Sequence, residues 1–305
     1  VVIPVYNSAD IISDVVSRIQ KVLIENNYNF EIILVDDGSR DNTWNILVTL
    51  FNKYDNIKIL RLAKNFGEHN AVYAGLFDSK GEYAIIMDDD GQNPPEILPK
   101  LIQYAQDNDT EVVYTYYRKK KHSFFRNLGS KFANWCATIT LKKPKDLYLS
   151  SFKLIKRRVI NEIMKYQGSY PYIDGLIFFY TSKIAKIEVP HNSRKIGKSN
   201  YNIYLLLKLW SNIIFNFSIY PIRFALLLGL FFFVFAVSYS IYTIYERLFL
   251  NSSMPIGYAS LIILILYFFS LTLIFLGIIG EYVGRISMNI NQKPLFSILE
   301  KYEKN

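Results

Sequence analysis

Two rhythms of apolar residues alternate through the first third of the chain. Short dense runs, VVIPV (residues 1–5), FEIILV (30–35), IKILRL (57–62), EYAIIMD (82–88) and EVVYTYY (111–117), have the length and β-branched content of buried strands. Between them lie stretches of helical period. In residues 10–23, Ile11, Ile12, Val15, Val16 and Ile19 form one stripe, with Asp10 as a candidate cap. Residues 43–52, 70–78 and 94–105 read as further helices, the last with proline near its first turn. Strands of this kind separated by helices of about ten residues predict an α/β fold with a mostly parallel sheet covered on both faces. Such sheets bind ligands at the carboxyl ends of their strands. Asn7, Asp36–Asp37 and Asp88–Asp90 all fall there.

The later pattern is different. Residues 224–245 carry no formal charge, and neither do residues 248–280. About 20 apolar residues cross a bilayer core, so two transmembrane helices are expected, at 222–245 and 257–280. Lys198, Lys208 and Arg223 precede the first, and Arg285 and Lys293 follow the second. The positive-inside rule then places residues 1–200 and a tail of 281–305 in the cytoplasm, as parts of a multi-pass protein of the inner membrane. Residues 122–139 and 201–221 mix aromatic and basic positions, as amphipathic helices at a membrane interface do.

The chain has 305 residues and a net charge of +9. Between Arg118 and Arg158 there are 13 Lys or Arg against one acid, Asp146. Nucleic acid is not the expected partner, because these charges sit beside the apolar segments; phosphate groups suit them better. A single cysteine, Cys136, excludes an intrachain disulfide. Residues 1–10 lack the basic start and cleavage site of a signal peptide. The Asn-, Lys- and Ile-rich composition hints at an AT-rich bacterial genome. Neither Gly-x-Gly-x-x-Gly nor a Walker motif follows the first strand.

The sharpest local signal is IIMDDDGQNPPE (85–96). On an extended segment alternate side chains share a face, so Asp88 and Asp90 can approach one ion while Asp89 points elsewhere. A divalent metal would offset their repulsion and reach phosphate oxygens. An acidic surface turn is the plain alternative.

Together VVIPVYN, EIILVDDGSRDNT, LAKNFGEHNAVYAGL, IIMDDDGQNPPE, YLSSFKLIKRRVI, YIDG and RKIGKSNY resemble, in order, the family-2 glycosyltransferases. More closely, the set resembles their branch that glycosylates dolichyl or undecaprenyl phosphate. It implies a GT-A nucleotide-sugar domain followed by interfacial and transmembrane helices. It implies that Pro4, Tyr6, Asn7, Asp36 and Asp37 line the nucleotide pocket, with Asp36 accepting from the base. Asp88, Asp90 and Gln92 would hold Mg²⁺ or Mn²⁺ against the donor diphosphate. Lys153 stands where relatives carry an arginine, and Lys cannot reproduce the two-pronged Arg grip. Lys153 and Arg157 would hold phosphates. Arg194, Lys198 and Ser199 would form a loop closing on the donor pyrophosphate and the acceptor phosphate. Asp174 would be a catalytic carboxylate near the sugar and acceptor, either a general base or, for a phosphate acceptor, a group that orients it or binds the sugar. Asn65, Gly67 and His69 read as a loop before the third helix.

The implied activity is inverting transfer of one sugar from a nucleotide sugar, UDP-linked by expectation, to undecaprenyl or another polyprenyl phosphate at the cytoplasmic membrane face. Relatives form oligomers, so a homo-oligomer is an implied assembly. The absence of Q-x-x-R-W argues against a processive polymer synthase. Two alternatives stay open: transfer to a hydroxyl of another membrane lipid, and a membrane scaffold that binds nucleotide sugars without turnover.

Overall fold

A computed structural model describes residues 1–116, 147, 149–166, 168, 170–190, 238, 245, 249, 257–290 and 294–304. The chain forms two compact units, Val1–Leu206 with Gln292–Asn305, and Leu207–Asn291.

The first unit is built on an eight-stranded sheet. Its strands are β1 (Val2–Val5), β2 (Ile32–Asp36), β3 (Ile57–Leu62), β4 (Tyr83–Ile86), β5 (Val112–Tyr116), β6 (Lys153–Lys156), β7 (Ile184–Glu188) and β8 (Ile298–Tyr302). Their order across the sheet is β7-β5-β6-β4-β1-β2-β3-β8. β4, β1, β2 and β3 run parallel, as the apolar runs predict. Every residue of β1 and β2 is buried, the signature of strands covered on both faces.

The sheet as a whole is mixed rather than mostly parallel. β6 lies antiparallel between β4 and β5, and β8 lies antiparallel on the β3 edge. Residues 111–117 therefore do not continue the parallel series beside β4. A four-residue strand read from SFKLIK takes that place, too short to show a period.

The helices of this unit are α1 (Ile12–Glu25), α2 (Thr43–Lys53), α3 (Glu68–Asp78), α4 (Leu98–Asp107), α5 (Arg157–Ile163) and α6 (Ile173–Tyr180). The stripe Ile11, Ile12, Val15, Val16 and Ile19 is buried in the core. Asp10 does not cap α1, whose N-cap is Ile11. The Ser8 carbonyl accepts from the Ile11 and Ile12 amides instead, at 3.2 and 3.1 Å, so the first turn needs no side-chain cap. α3 begins two residues before its expected start and takes Glu68 and His69 into its first turn. It packs tightly on the sheet through Gly75, where a Cβ would fall 2.4 Å from Val2 Cγ1.

The expected transmembrane helices are corrected. Among the described residues no helix is long and apolar enough to cross a membrane. The span expected at 222–245 lies outside the described residues except for Ser238 and Tyr245, and the amphipathic segments at 122–139 and 201–221 lie outside them altogether. Over 257–280 the second unit has one helix, α7 (Tyr258–Ile290), 33 residues long. It does not stop at Gly280. It continues through Glu281 and Arg285, which pair at 2.6 Å one turn apart. Counting uncharged residues thus marked an apolar stretch in the sequence but not the bounds of a membrane helix. The inner-membrane placement, the membrane and lipid partners attached to it, and transfer at a membrane face rested on those spans and fall with them.

β8 had no counterpart in the sequence reading. It is held by charge as well as by its ladder. Lys58 of β3, nearly buried, reaches Glu31 at 2.8 Å and Glu303 at 3.1 Å. Glu303 also meets Lys80 and Lys301. These cations pull the Glu303 carboxyl down to about 2. Replacing Lys58 by Met would leave two carboxylates facing each other. Because both are partly exposed, the cost is expected at about 2 kcal/mol, below that of a fully buried pair. Urea denaturation of K58M checks this; an unchanged midpoint would mean that the cluster contributes nothing.

Candidate active site at the carboxyl ends of the strands

Loops after β1, β2 and β4 meet at one end of the sheet, and they carry the predicted site residues Tyr6, Asn7, Asp37, Asp88, Asp90 and Gln92. Pro4 is buried inside β1, and Tyr6 is exposed at the mouth. Asn7 adopts φ +53°, a left-handed conformation that asparagine tolerates. Its amide donates to Ser39 Oγ at 2.9 Å, and its Oδ1 accepts from the Arg40 amide at 2.8 Å. Asn7 thereby stitches the loop after β1 to the loop after β2.

Asp36 and Asp37 are adjacent but do different things. Asp36, fully buried, accepts from the Ser39 amide with Oδ1 at 3.0 Å. Its Oδ2 is buried with no hydrogen-bond partner; Arg61 Nε lies 3.6 Å away. This is an acceptor prepared for a donor. Asp37 is already occupied: Oδ1 takes the Phe66 amide at 2.7 Å and Oδ2 the Gly67 amide at 2.9 Å. It clamps the loop that leads into α3. Gly38 permits the close approach, since a Cβ there would lie 2.7 Å from Asn65 N and its φ is +70°. Burial raises the Asp37 carboxyl to about 6, against the pull of those two amides.

The three consecutive aspartates fan apart. Asp88 accepts from Ser151 Oγ and, at 3.4 Å, from Asn93 Nδ2. Asp89 turns toward β1, taking the Tyr6 amide at 3.1 Å and the Ser8 hydroxyl. Asp90 Oδ1 accepts from the main-chain amide of Gln92 at 3.0 Å. Burial and then the neighbouring charge of Asp90 raise the Asp88 carboxyl, while Ser151 opposes the shift. Burial raises Asp89 to about 6. Glu68 of α3 reaches solvent but stands in the same crowd. Burial, then Asp88, push it to about 7, with Lys153 opposing.

Among the described residues no group of three His, Cys, Asp or Glu side chains could hold a metal by itself. Two carboxylates on a half-buried turn remain a fitting set for an ion shared with donor phosphates.

Lys153 and Asp174 are brought together and are both buried. Lys153 Nζ pairs with Asp174 Oδ1, which also accepts from Tyr114 Oη at 2.7 Å. The ammonium sits 5.1 Å from the Tyr114 ring centre. Asp174 lies in the first turn of α6, where the helix dipole favours an anion. His69, flanked by Tyr170 and Tyr172, is pushed down to about 4 by burial and so stays neutral.

Arg157 is not part of this group. β6 pairs Lys153 with Ile86 and Lys156 with Tyr83, so Arg157 emerges at the amino end of β4. At about 3.3 Å per residue, four residues of strand carry it roughly 13 Å from Lys153. There its Nε donates to the Gly81 carbonyl at 2.8 Å and its Nη2 to Ser79 Oγ at 3.0 Å. Arg194, Lys198 and Ser199 lie outside the described residues. Sequence reasoning gave no site role to Ser151, Tyr114, Glu68 or Arg61. Ser151 lies within YLSSFKLIKRRVI but meets Asp88 only because β6 runs antiparallel beside β4, whereas Tyr114 lies on β5, outside those motifs, and reaches Asp174 where β5 pairs with β6 at Lys153.

Comparison with known proteins now decides the family. The model of glycosyl transferase family 2 matches residues 1–179. The chain belongs to that family. An uncharacterized glycosyltransferase of Bacillus subtilis, YkcC, is 30% identical over 99% of this chain and 93% of its own length. An undecaprenyl-phosphate 4-deoxy-4-formamido-L-arabinose transferase of Proteus mirabilis is 29% identical, covering 98% of this chain and 92% of that protein. Among solved structures, glucosyl-3-phosphoglycerate synthase of Mycobacterium tuberculosis, crystallised with Mn²⁺, UDP-glucose and phosphoglyceric acid, matches with a TM-score of 0.52 at 16% identity. The match covers 70% of this chain and 76% of that one, and it shows a shared GT-A-like fold.

Asp37 supplies a pH prediction. Its folded value lies above its ordinary one, so its contribution to stability is full below about pH 4 and is lost as pH rises through 6. D37N lacks this titration. The stability difference, wild type minus D37N, should fall by about 2 kcal/mol between pH 4 and 7. Denaturant titrations at those two pH values test it; a constant difference would mean that Asp37 titrates in the ordinary carboxylate range.

Proposed function

We propose that this family-2 protein transfers a sugar from a nucleotide diphosphate sugar to an acceptor phosphate, with a divalent cation at Asp88 and Asp90. The observation that carries the reading is the pairing of two features at one sheet end. One is the buried, unpartnered Oδ2 of Asp36, and the other is the carboxylate turn of Asp88 and Asp90. The first suits a nucleobase N–H, the second a metal-bound diphosphate. Asp37 and Asn7 support the pocket by fixing the loops on either side. Mg²⁺ or Mn²⁺ there would stabilise charge building on the departing nucleoside diphosphate. Asp90 would be aimed by the Gln92 amide, and Asp88 by Ser151 and Asn93.

The acceptor is argued from Asp174. The Asp174 Oδ1 is already engaged by the Lys153 ammonium and the Tyr114 hydroxyl, so this oxygen is occupied rather than open to an acceptor hydroxyl. An acceptor that needs no base is therefore favoured. A phosphate monoester is largely dianionic at pH 7 and attacks without losing a proton. Relatives at 28–29% identity are named as undecaprenyl-phosphate transferases, and from those names only the phosphate class of the acceptor is carried over. A hydroxyl acceptor is the second reading, and Glu68 favours it, since a carboxyl near 7 is poised to act as a base.

The test incubates the purified chain with UDP- and GDP-sugars, Mg²⁺ or Mn²⁺, and undecaprenyl phosphate or simpler phosphate acceptors. Product mass and nucleoside diphosphate release are both read. Product that disappears with EDTA, and a rate at least about 100-fold lower in D90A, are expected. E68Q should leave transfer to phosphate nearly intact; its collapse would favour the hydroxyl reading. No release with any donor and acceptor would sink the proposal.

A further inference from the structure

Arg61 stands between Asp36 and the far end of the chain. Its Nη1 donates to Glu300 Oε1 of β8 at 3.0 Å, while its Nε remains 3.6 Å from Asp36 Oδ2. Glu300 lies opposite Arg61 in the β3–β8 register, and the ladder shifts immediately after Arg61. The guanidinium also lies 5.2 Å from the ring centre of Trp44, and Trp44 packs on Tyr302 of the same strand. The arginine is therefore held from the β8 side by a carboxylate and an aromatic face. Its reach toward Asp36 stops short of a hydrogen bond.

We propose that Glu300 and Arg61 are positioning residues for the nucleotide: Glu300 draws the Arg61 guanidinium away from Asp36 Oδ2, so that this oxygen stays open to a nucleobase donor. The inference rests on the nucleotide-sugar reading and extends it to β8, which lies 239 residues from Arg61 in sequence. The balance has a definite direction. A guanidinium released by Glu300 finds a buried carboxylate within one small rotation, and charge-assisted hydrogen bonds of that kind are strong. Once closed, the Arg61–Asp36 pair would have to be broken before a base could bind. Arg61 nevertheless has a role while the pocket is open, because it supplies a counter-charge to a fully buried carboxylate.

The experiment is a double-mutant cycle on the full chain. Isothermal titration with UDP and with GDP, each with Mn²⁺, identifies the nucleotide that wild type binds. E300Q is expected to raise its Kd by about tenfold and to leave kcat at saturating donor nearly unchanged. In an R61Q background the same E300Q change should have no effect, because no guanidinium is left to close on Asp36. A purely structural role for Glu300 would instead lower the melting temperature and persist in the R61Q background. Glu300 is about one-third exposed, so Gln is accommodated there. Wild type that binds neither nucleotide overturns the underlying reading. Wild type that binds while E300Q binds equally well, or an E300Q effect that survives in R61Q, overturns this inference alone.

Discussion

Like-charge crowding is the constraint around which this molecule is arranged. Asp36, Asp37, Asp88, Asp89, Asp90, Glu68 and Asp174 all come from the site end of one sheet. Carboxylates placed together there raise one another's proton affinity and disfavour the compact state. Most have their own answer. Asp36 is met by Arg61, Asp37 by two backbone amides, Asp89 by Tyr6 and Ser8, and Asp174 by Lys153 and Tyr114. Asp88 has neutral hydrogen-bond partners, Ser151 and Asn93, and its carboxyl stays raised. The remaining unfavourable charge is thus concentrated where a cation and a diphosphate are proposed to bind. Ligand binding and relief of repulsion would then be one event.

These answers come from different elements, which explains how much of the site was legible in the sequence. The aspartates were visible because they end dense apolar runs, and a run of that kind has one carboxyl end. Most of their partners were not. Ser151 faces the site, and Lys153, which the family resemblance had singled out for phosphate, meets Asp174, only because β6 runs antiparallel to β4; strand direction leaves no trace in four residues. The same reversal sends Arg157 to the opposite end, although it is only four positions from Lys153. Proximity in a basic cluster was a poor guide, because a strand separates its two ends in space. His69 was read as part of a loop for a related reason. Positive φ at Gly67 lets α3 begin at once, and the helix absorbs the residue.

The apolar segments after residue 220 illustrate a different limit. Lack of charge over about 20 residues is a property of composition. α7 runs on through a Glu–Arg pair that the composition rule treated as a flank. Helix ends follow backbone continuity rather than hydropathy, so the uncharged segment and the helix need not coincide. Nor did composition mark β8, five residues rich in charge. A central strand with that content would bury charge at a cost, but an edge strand is where charged side chains belong.

β8 also changes what the edge of the sheet means. Without it, β3 would present an open row of backbone groups beside the proposed nucleotide pocket. With it, the edge is closed by a segment whose carboxylates address Lys58 and Arg61. Lys58 serves the ladder, whereas Arg61 looks inward to Asp36. One short strand therefore combines edge protection with an electrostatic reach into the site. The two tasks conflict mildly: the most stable pairing for Arg61 would be with the buried Asp36 alone. A protein selected only for stability would close that pair. Holding it apart costs stability and leaves an acceptor ready, as the proposed nucleotide site would require if it repeatedly takes and releases its ligand.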